Sequence, residues 1–134
     1  MEHRQLISSG SPWELTVGYS RAVRVGGRVI VAGTAPKFDD GQCPSDAGLQ
    51  ARRCFDIIEE ALAAAGSSFA DVVRTRIYLV DAGDFDAVAA IHGELFHDVR
   101  PANTTLVVAG LLDPAWKVEI EAEAEIRPER SPLL

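Results

Sequence analysis

The sequence is poor in several things that would have fixed its class at once. It has only two cysteines, Cys43 and Cys54, in 134 residues. Their spacing is neither a CxxC nor any other metal-binding pattern. A disulfide scaffold, a zinc site and a thiol-redox motif are therefore not expected, and reduced thiols in a cytoplasmic protein are. No apolar stretch reaches the roughly 20 residues that a membrane-spanning helix needs. The first residues do not set an apolar run behind a basic start, so no signal peptide is expected either. Positive charge is scarce: 13 Lys and Arg stand against 20 Asp and Glu, a formal net charge of −7. An acidic surface repels a phosphate backbone, and the densest basic group, Arg74-Thr-Arg76, is too short to track one. Nucleic acid and membrane are thus not expected partners. Three histidines, His3, His92 and His97, suggest no metal triad. The stretch "GGRVIVAG" has the wrong spacing for a phosphate-binding loop, and no helix opens directly after it. There are no internal repeats.

What the sequence does contain is the material of one soluble globular domain. It is 47% hydrophobic and 25% charged, and its length suits a single core. Residues 1–12 read as a polar lead-in, 13–126 as the domain, and 127–134 as a tail with two prolines. Trp13 to Val17 and Ala22 to Val25 alternate weakly and suggest a hairpin about Gly18–Ser20. Gly26-Gly27 is a two-residue turn signal into a strand at Arg28 to Ala32. A loop over 35–48 precedes a helix at about Asp46 to Ala65, with Leu49, Ala51, Phe55, Ile58, Leu62 and Ala65 on one face and Gly66 as its stop. Asp71 to Val80 is a strand whose odd positions, Val73, Thr75, Ile77 and Leu79, are the more apolar. A second helix at about Asp84 to Phe96 carries Phe85, Val88, His92, Leu95 and Phe96 along one stripe. Asn103 to Ala109 is another strand. "VEIEAEAEI", Val118 to Ile126, alternates strictly, with valine, isoleucine and alanine on one face and glutamates on the other.

The order is β-β-β-α-β-α-β-β, an α+β chain in which two helices serve five or six strands. Two short helices cover one face of such a sheet and not both. Arg74, Arg76, Tyr78 and the glutamates share the other face. That mixture suits a wet subunit interface, so a homo-oligomer is expected.

Four stretches in this order carry a specific resemblance: "GYSRAVRVGGRVIVAGTAP" (18–36), "AAAGSSFADVVRTRIYLVD" (63–81), "DFDAVAAIHGELF" (84–96) and "RPANTTLVVAGLLDPAWKVEIEAEAEI" (100–126). Together they resemble the Rid family, the reactive-intermediate deaminases also called YjgF. The resemblance implies a chorismate-mutase-like α+β fold and a homotrimer with a small-molecule cleft between subunits. It also implies hydrolysis of 2-aminoacrylate and related enamine or imine intermediates to keto acid and ammonia, without metal or cofactor. A planar arginine fork suits the substrate carboxylate, and a carboxylate or polarised carbonyl suits the attacking water.

Carried over position by position, the resemblance puts Tyr19 beside the ligand and Glu119 as the residue that handles the water. The family's Ser-Gly at the end of the third strand falls on Ala32-Gly33, so the serine is missing. Its Pro-Ala-Arg motif falls on Pro101, Ala102 and Asn103, so the carboxylate-binding arginine is missing too. Thr105 stands where the family often has cysteine. The pattern resembles an arginine-lacking subgroup, and an uncharged or cationic ligand suits Asn103 better than a carboxylate does. Arg76 and Arg100 are candidates to restore the charge. Arg76 could instead pair with the glutamates across the sheet, and Arg100 could simply face solvent. Tyr19 could pack at an interface rather than line a cleft, and Glu119 could be a solvated carboxylate. His92 and Cys54 read as core residues. The functions that follow are a Rid-type hydrolase, a trimer that binds a metabolite without turnover, or the endoribonuclease of the family's older label, which the net charge disfavours.

Overall fold

A computed structural model describes residues 3–128. Six strands form one sheet: β1 (Arg4–Ile7), β2 (Ala22–Val25), β3 (Arg28–Thr34), β4 (Val72–Leu79), β5 (Ala102–Val107) and β6 (Val118–Glu125). Their order across the sheet is β1-β2-β3-β6-β4-β5. Every neighbouring pair is antiparallel except β4 and β5, which run parallel. A parallel pair needs a crossover, and helix α3 (Phe85–Phe96) supplies it. Two further helices are α1 (Pro12–Val17) and α2 (Ala47–Ala64). Short 3-10 turns at Phe69–Asp71 and Ala82–Asp84 lead into β4 and α3.

The core lies between the sheet and the α2–α3 layer. Val29 and Val31 of β3, Ile77 and Leu79 of β4, and Val118, Ile120, Ala122 and Ala124 of β6 meet Cys54, Phe55, Ile58 and Leu62 of α2 and Val88 and Phe96 of α3. The alternation of "VEIEAEAEI" does what its period dictates: each buried residue alternates with a glutamate on the opposite face. Asp46 caps α2 by accepting from Leu49 N at 3.0 Å, and Gly66, with φ 83°, takes the left-handed turn after its end. No helix among the described residues is long and apolar enough to cross a membrane.

Four expectations change. Trp13 to Val17 is not a strand of a hairpin: it lies in α1, because Ser11 accepts from Trp13 N, Pro12 opens the first turn and Gly18 closes it at φ 86°. On the side away from β3, the partner of β2 is instead β1, within the polar lead-in. Leu49 is not on the buried face of α2 but 53% exposed, while Gln50 beside it is fully buried. Val73 is also outside, 48% exposed, because the β4–β6 register shifts between Val72 and Arg74 and turns Val72 inward. Of the tail, residues 129–134 lie outside the described residues.

Candidate functional site

The face of the sheet opposite α2 and α3 carries the charged side chains. Glu119 on β6 pairs in register with Tyr78 on β4, Glu121 with Arg76, and Glu123 with Arg74. Glu123 gathers Arg28 at 2.5 Å, Arg76 at 3.4 Å and Arg74 at 3.8 Å. Its carboxyl is held below its ordinary range, chiefly by the hydrogen bond from Arg28 and against the opposing effect of burial. Tyr78 donates its hydroxyl to Glu121. That contact, with burial behind it, pushes the phenol pKa up. Arg76 is thus engaged in the cross-strand ion pair.

Glu119 is different. Its carboxylate lies over the backbone of Gly33, so close that a Cβ at position 33 would sit 2.7 Å from Oε2. The small residue at the end of β3 therefore admits the glutamate. Glu119 takes part in no ion pair within 4.0 Å among the described residues. Burial, as the largest influence, raises its pKa; Arg21 pulls it down and Glu121 pushes it up.

Around Gly33 and Glu119 the chain gathers two more groups. Tyr19 follows the end of α1, its N–H bonded to Glu14 O at 3.0 Å. Arg21 precedes β2 and donates Nη2 to Gly33 O at 2.5 Å. Its backbone is pinned on both sides: its N–H donates to Ile7 O at 2.8 Å and its carbonyl accepts from Ala32 N at 3.0 Å. Behind it lies Glu14, buried and accepting from Ser8 Oγ at 2.8 Å, Ser9 N at 3.1 Å and Ser9 Oγ at 2.5 Å. Arg21 links these positions: it bonds to Gly33, next to Ala32, and lies near enough to Tyr19 and Glu119 for each to favour its charge, yet sequence reasoning missed it. The signal was present in "GYSRAV": Arg21 is the first cation after Tyr19.

Asn103 and Thr105 form a second cluster elsewhere. On β5 they take the register of Thr75 and Ile77, the helix side of the sheet. Asn103 donates Nδ2 to Thr75 Oγ1 at 3.0 Å and accepts from Thr105 Oγ1 at 2.9 Å. Thr75 Oγ1 lies 2.8 Å from His92 Nε2. A hydroxyl can donate and accept at once, so the contact suits either neutral tautomer of the ring. Burial pushes the His92 pKa down. His92 also packs against Phe96, 4.7 Å between ring centres, and Phe55, 5.9 Å. His92, Asn103 and Thr105 line a cavity of about 140 Å³ with Phe85, Val88 and Ala89.

The two clusters are on opposite faces of the sheet, and β4 separates β6 from β5. A single chain does not bring Glu119 and Asn103 together. Arg100 joins neither. It sits with φ 55° in the loop before β5, beside a shallow depression of about 440 Å³ that also touches Glu125 at the far end of β6. No group of three His, Cys, Asp or Glu among the described residues is placed to hold a metal ion.

Residues 12–126 match the family model described as Endoribonuclease L-PSP. The chain is 34% identical over 110 residues to the 2-iminobutanoate/2-iminopropanoate deaminase of Escherichia coli, covering 79% of this chain and 85% of that one. It belongs to the Rid (YjgF) family. An uncharacterised Streptomyces coelicolor relative of this Rid protein is 45% identical over 119 residues, 88% of this chain and 89% of that one. The crystal structure of a Mycobacterium tuberculosis member of the YjgF/YER057c/UK114 family superposes with a TM-score of 0.85 at 44% identity, covering 92% of this chain and all of that one. The mixed six-stranded sheet with its helices is the Rid fold.

Proposed function

We propose that this Rid protein is a cofactor-free hydrolase of small imine or enamine intermediates. It works as a homotrimer with a site in each cleft between subunits, where Glu119 is the residue that moves the proton. The observation that carries the reading is the state of Glu119: half-buried over Gly33, outside every ion pair among the described residues, and with its pKa raised. A carboxyl tuned upward serves proton transfer near neutral pH better than an ordinary one. In the reaction, 2-aminoacrylate tautomerises to 2-iminopropanoate. Water adds its oxygen to the imine carbon while Glu119 takes a proton from it. That proton passes to nitrogen to give a carbinolamine; the remaining hydroxyl proton then moves to nitrogen as C=O forms and the C–N bond breaks, and ammonia and pyruvate leave. Tyr19 and Gly33 border the reacting carbon. Asn103 and Thr105, contributed by the neighbouring copy, close the cleft. The E. coli deaminase name supports the reaction class, and the mixed exposed face of the sheet supports the oligomer. Endoribonuclease activity is disfavoured by the net charge of −7.

A second reading, a trimer that binds a metabolite without turnover, is favoured by one fact: Asn103 carries no charge and its amide already serves Thr75 and Thr105. The test generates 2-aminoacrylate from serine with a pyridoxal-phosphate dehydratase and follows its loss with and without this protein. Hydrolysis is expected to accelerate, and Glu119→Gln to slow it by roughly 10²–10⁴-fold. No acceleration by the wild type would exclude the hydrolase reading for this substrate, and full activity in the variant would exclude Glu119 as the residue that moves the proton.

A further inference from the structure

Arg21 has a chemistry that the family resemblance does not account for. The ion pairs among the described residues use Arg28, Arg52, Arg53, Arg74 and Arg76. Arg21, although partly buried, is not one of them. Its side chain bonds to Gly33 O, and its Nε is buried with no partner at all. A cation removed from water without a counter-ion is expensive, and so is an unsatisfied buried N–H. Neither nearby carboxylate removes that cost. Glu14 and Glu119 favour its charge from a distance, but both lie beyond ion-pair range of Arg21. Hydrogen bonds to Ile7 and Ala32 fix the backbone of Arg21, and the bond to Gly33 O holds one edge of its guanidinium at the end of β3.

An anion at the exposed Nη end of Arg21, on the side of Glu119, would give the guanidinium the counter-ion it lacks, while Nε stays enclosed. The carbon attached to a carboxylate held there would face Glu119, which is where the proposed reaction takes place. We propose that Arg21 is the substrate-binding cation of this site, holding the carboxylate of a small 2-imino or 2-keto acid in the same cluster as Glu119. The proposal rests on the hydrolase reading for the identity of the acid, but not for the charge. It moves the anchor from β5, where Asn103 leaves no charge, to the entrance of β2. It also reverses the expectation of an uncharged or cationic ligand.

The test is calorimetric titration of two unreactive probes, 2-ketobutyrate and 2-ketobutyramide, which differ in charge at one group. The wild type is expected to bind the acid at least tenfold more tightly than the amide. Arg21→Gln is expected to lose roughly 10- to 100-fold in affinity for the acid and little for the amide. Arg21→Lys keeps the charge without the fork and is expected to fall between them. Melting and mass measurements on each variant establish that it is folded and assembled, and Arg21→Lys serves alone if Arg21→Gln is not. The proposal is overturned if the wild type does not prefer the acid, if it binds neither probe, or if the folded variants retain the wild-type preference. Selective binding of the acid without 2-aminoacrylate hydrolysis would leave Arg21 in its role and remove the hydrolase reading alone.

Discussion

At Glu119 the demands of stability and of the proposed chemistry oppose each other. Burial raises its pKa from the ordinary 4.5, with Glu121 adding to the rise and Arg21 opposing it. The folded chain therefore holds the Glu119 proton more tightly than the unfolded chain. Above pH 4.5 the unfolded chain ionises first, so the ionised group works against folding there; well below pH 4.5 it does not. Glu119→Gln is accordingly expected to melt higher than the wild type near neutral pH and at the same temperature in acid, as read by thermal denaturation at both. A lower melting temperature at neutral pH would mean that Glu119 is a structural acceptor. The residue scale is also where the sequence was least informative. "YSRAV" holds the relevant cation, but only the fold shows that its guanidinium reaches Gly33, and only then does it differ from a solvated arginine. Asn103 was recognisable as an uncharged replacement, whereas its bonds to Thr75 and Thr105 depend on β4 and β5 pairing in parallel.

Elements were more legible because periodicity is a property of the chain alone. The glutamate–apolar alternation of β6 and the helical spacing of α2 survive folding nearly unchanged. Two local signals outranked weak periodicity at α1: serine and proline open a helical turn and Gly18 closes it, against the alternation of Trp13 to Val17. Gln50 is the clearest case of a residue that periodicity misreads. Its amide nitrogen donates to Pro44 O at 2.8 Å and Ala115 O at 3.0 Å, and its oxygen accepts from Lys117 N at 2.8 Å. One buried side chain thereby ties α2 to the loops before it and before β6, the strand that carries Glu119. Gln50→Ala strands these backbone groups and is expected to cost about 2–3 kcal/mol in denaturant unfolding. A cost below about 0.5 kcal/mol would show that water replaces the clamp without loss.

For the whole molecule, an amphipathic inventory already indicated a sheet covered on one side only. The exposed face holds Ile30 and Leu106 beside the charged strands, and α1 presents Trp13 and Leu15, the latter 92% exposed. What the sequence could not reveal is that the two clusters of site residues face opposite ways within one chain, a consequence of strand order. In the proposed assembly they meet only between copies. The most direct test places one cysteine in each cluster, Ala32→Cys with Thr105→Cys, in a Cys43→Ser background, and treats the protein with a short bis-maleimide. Covalent species of up to three chains are expected from the double variant, and monomers from either single variant. Monomers alone from the double variant would contradict a site shared between subunits.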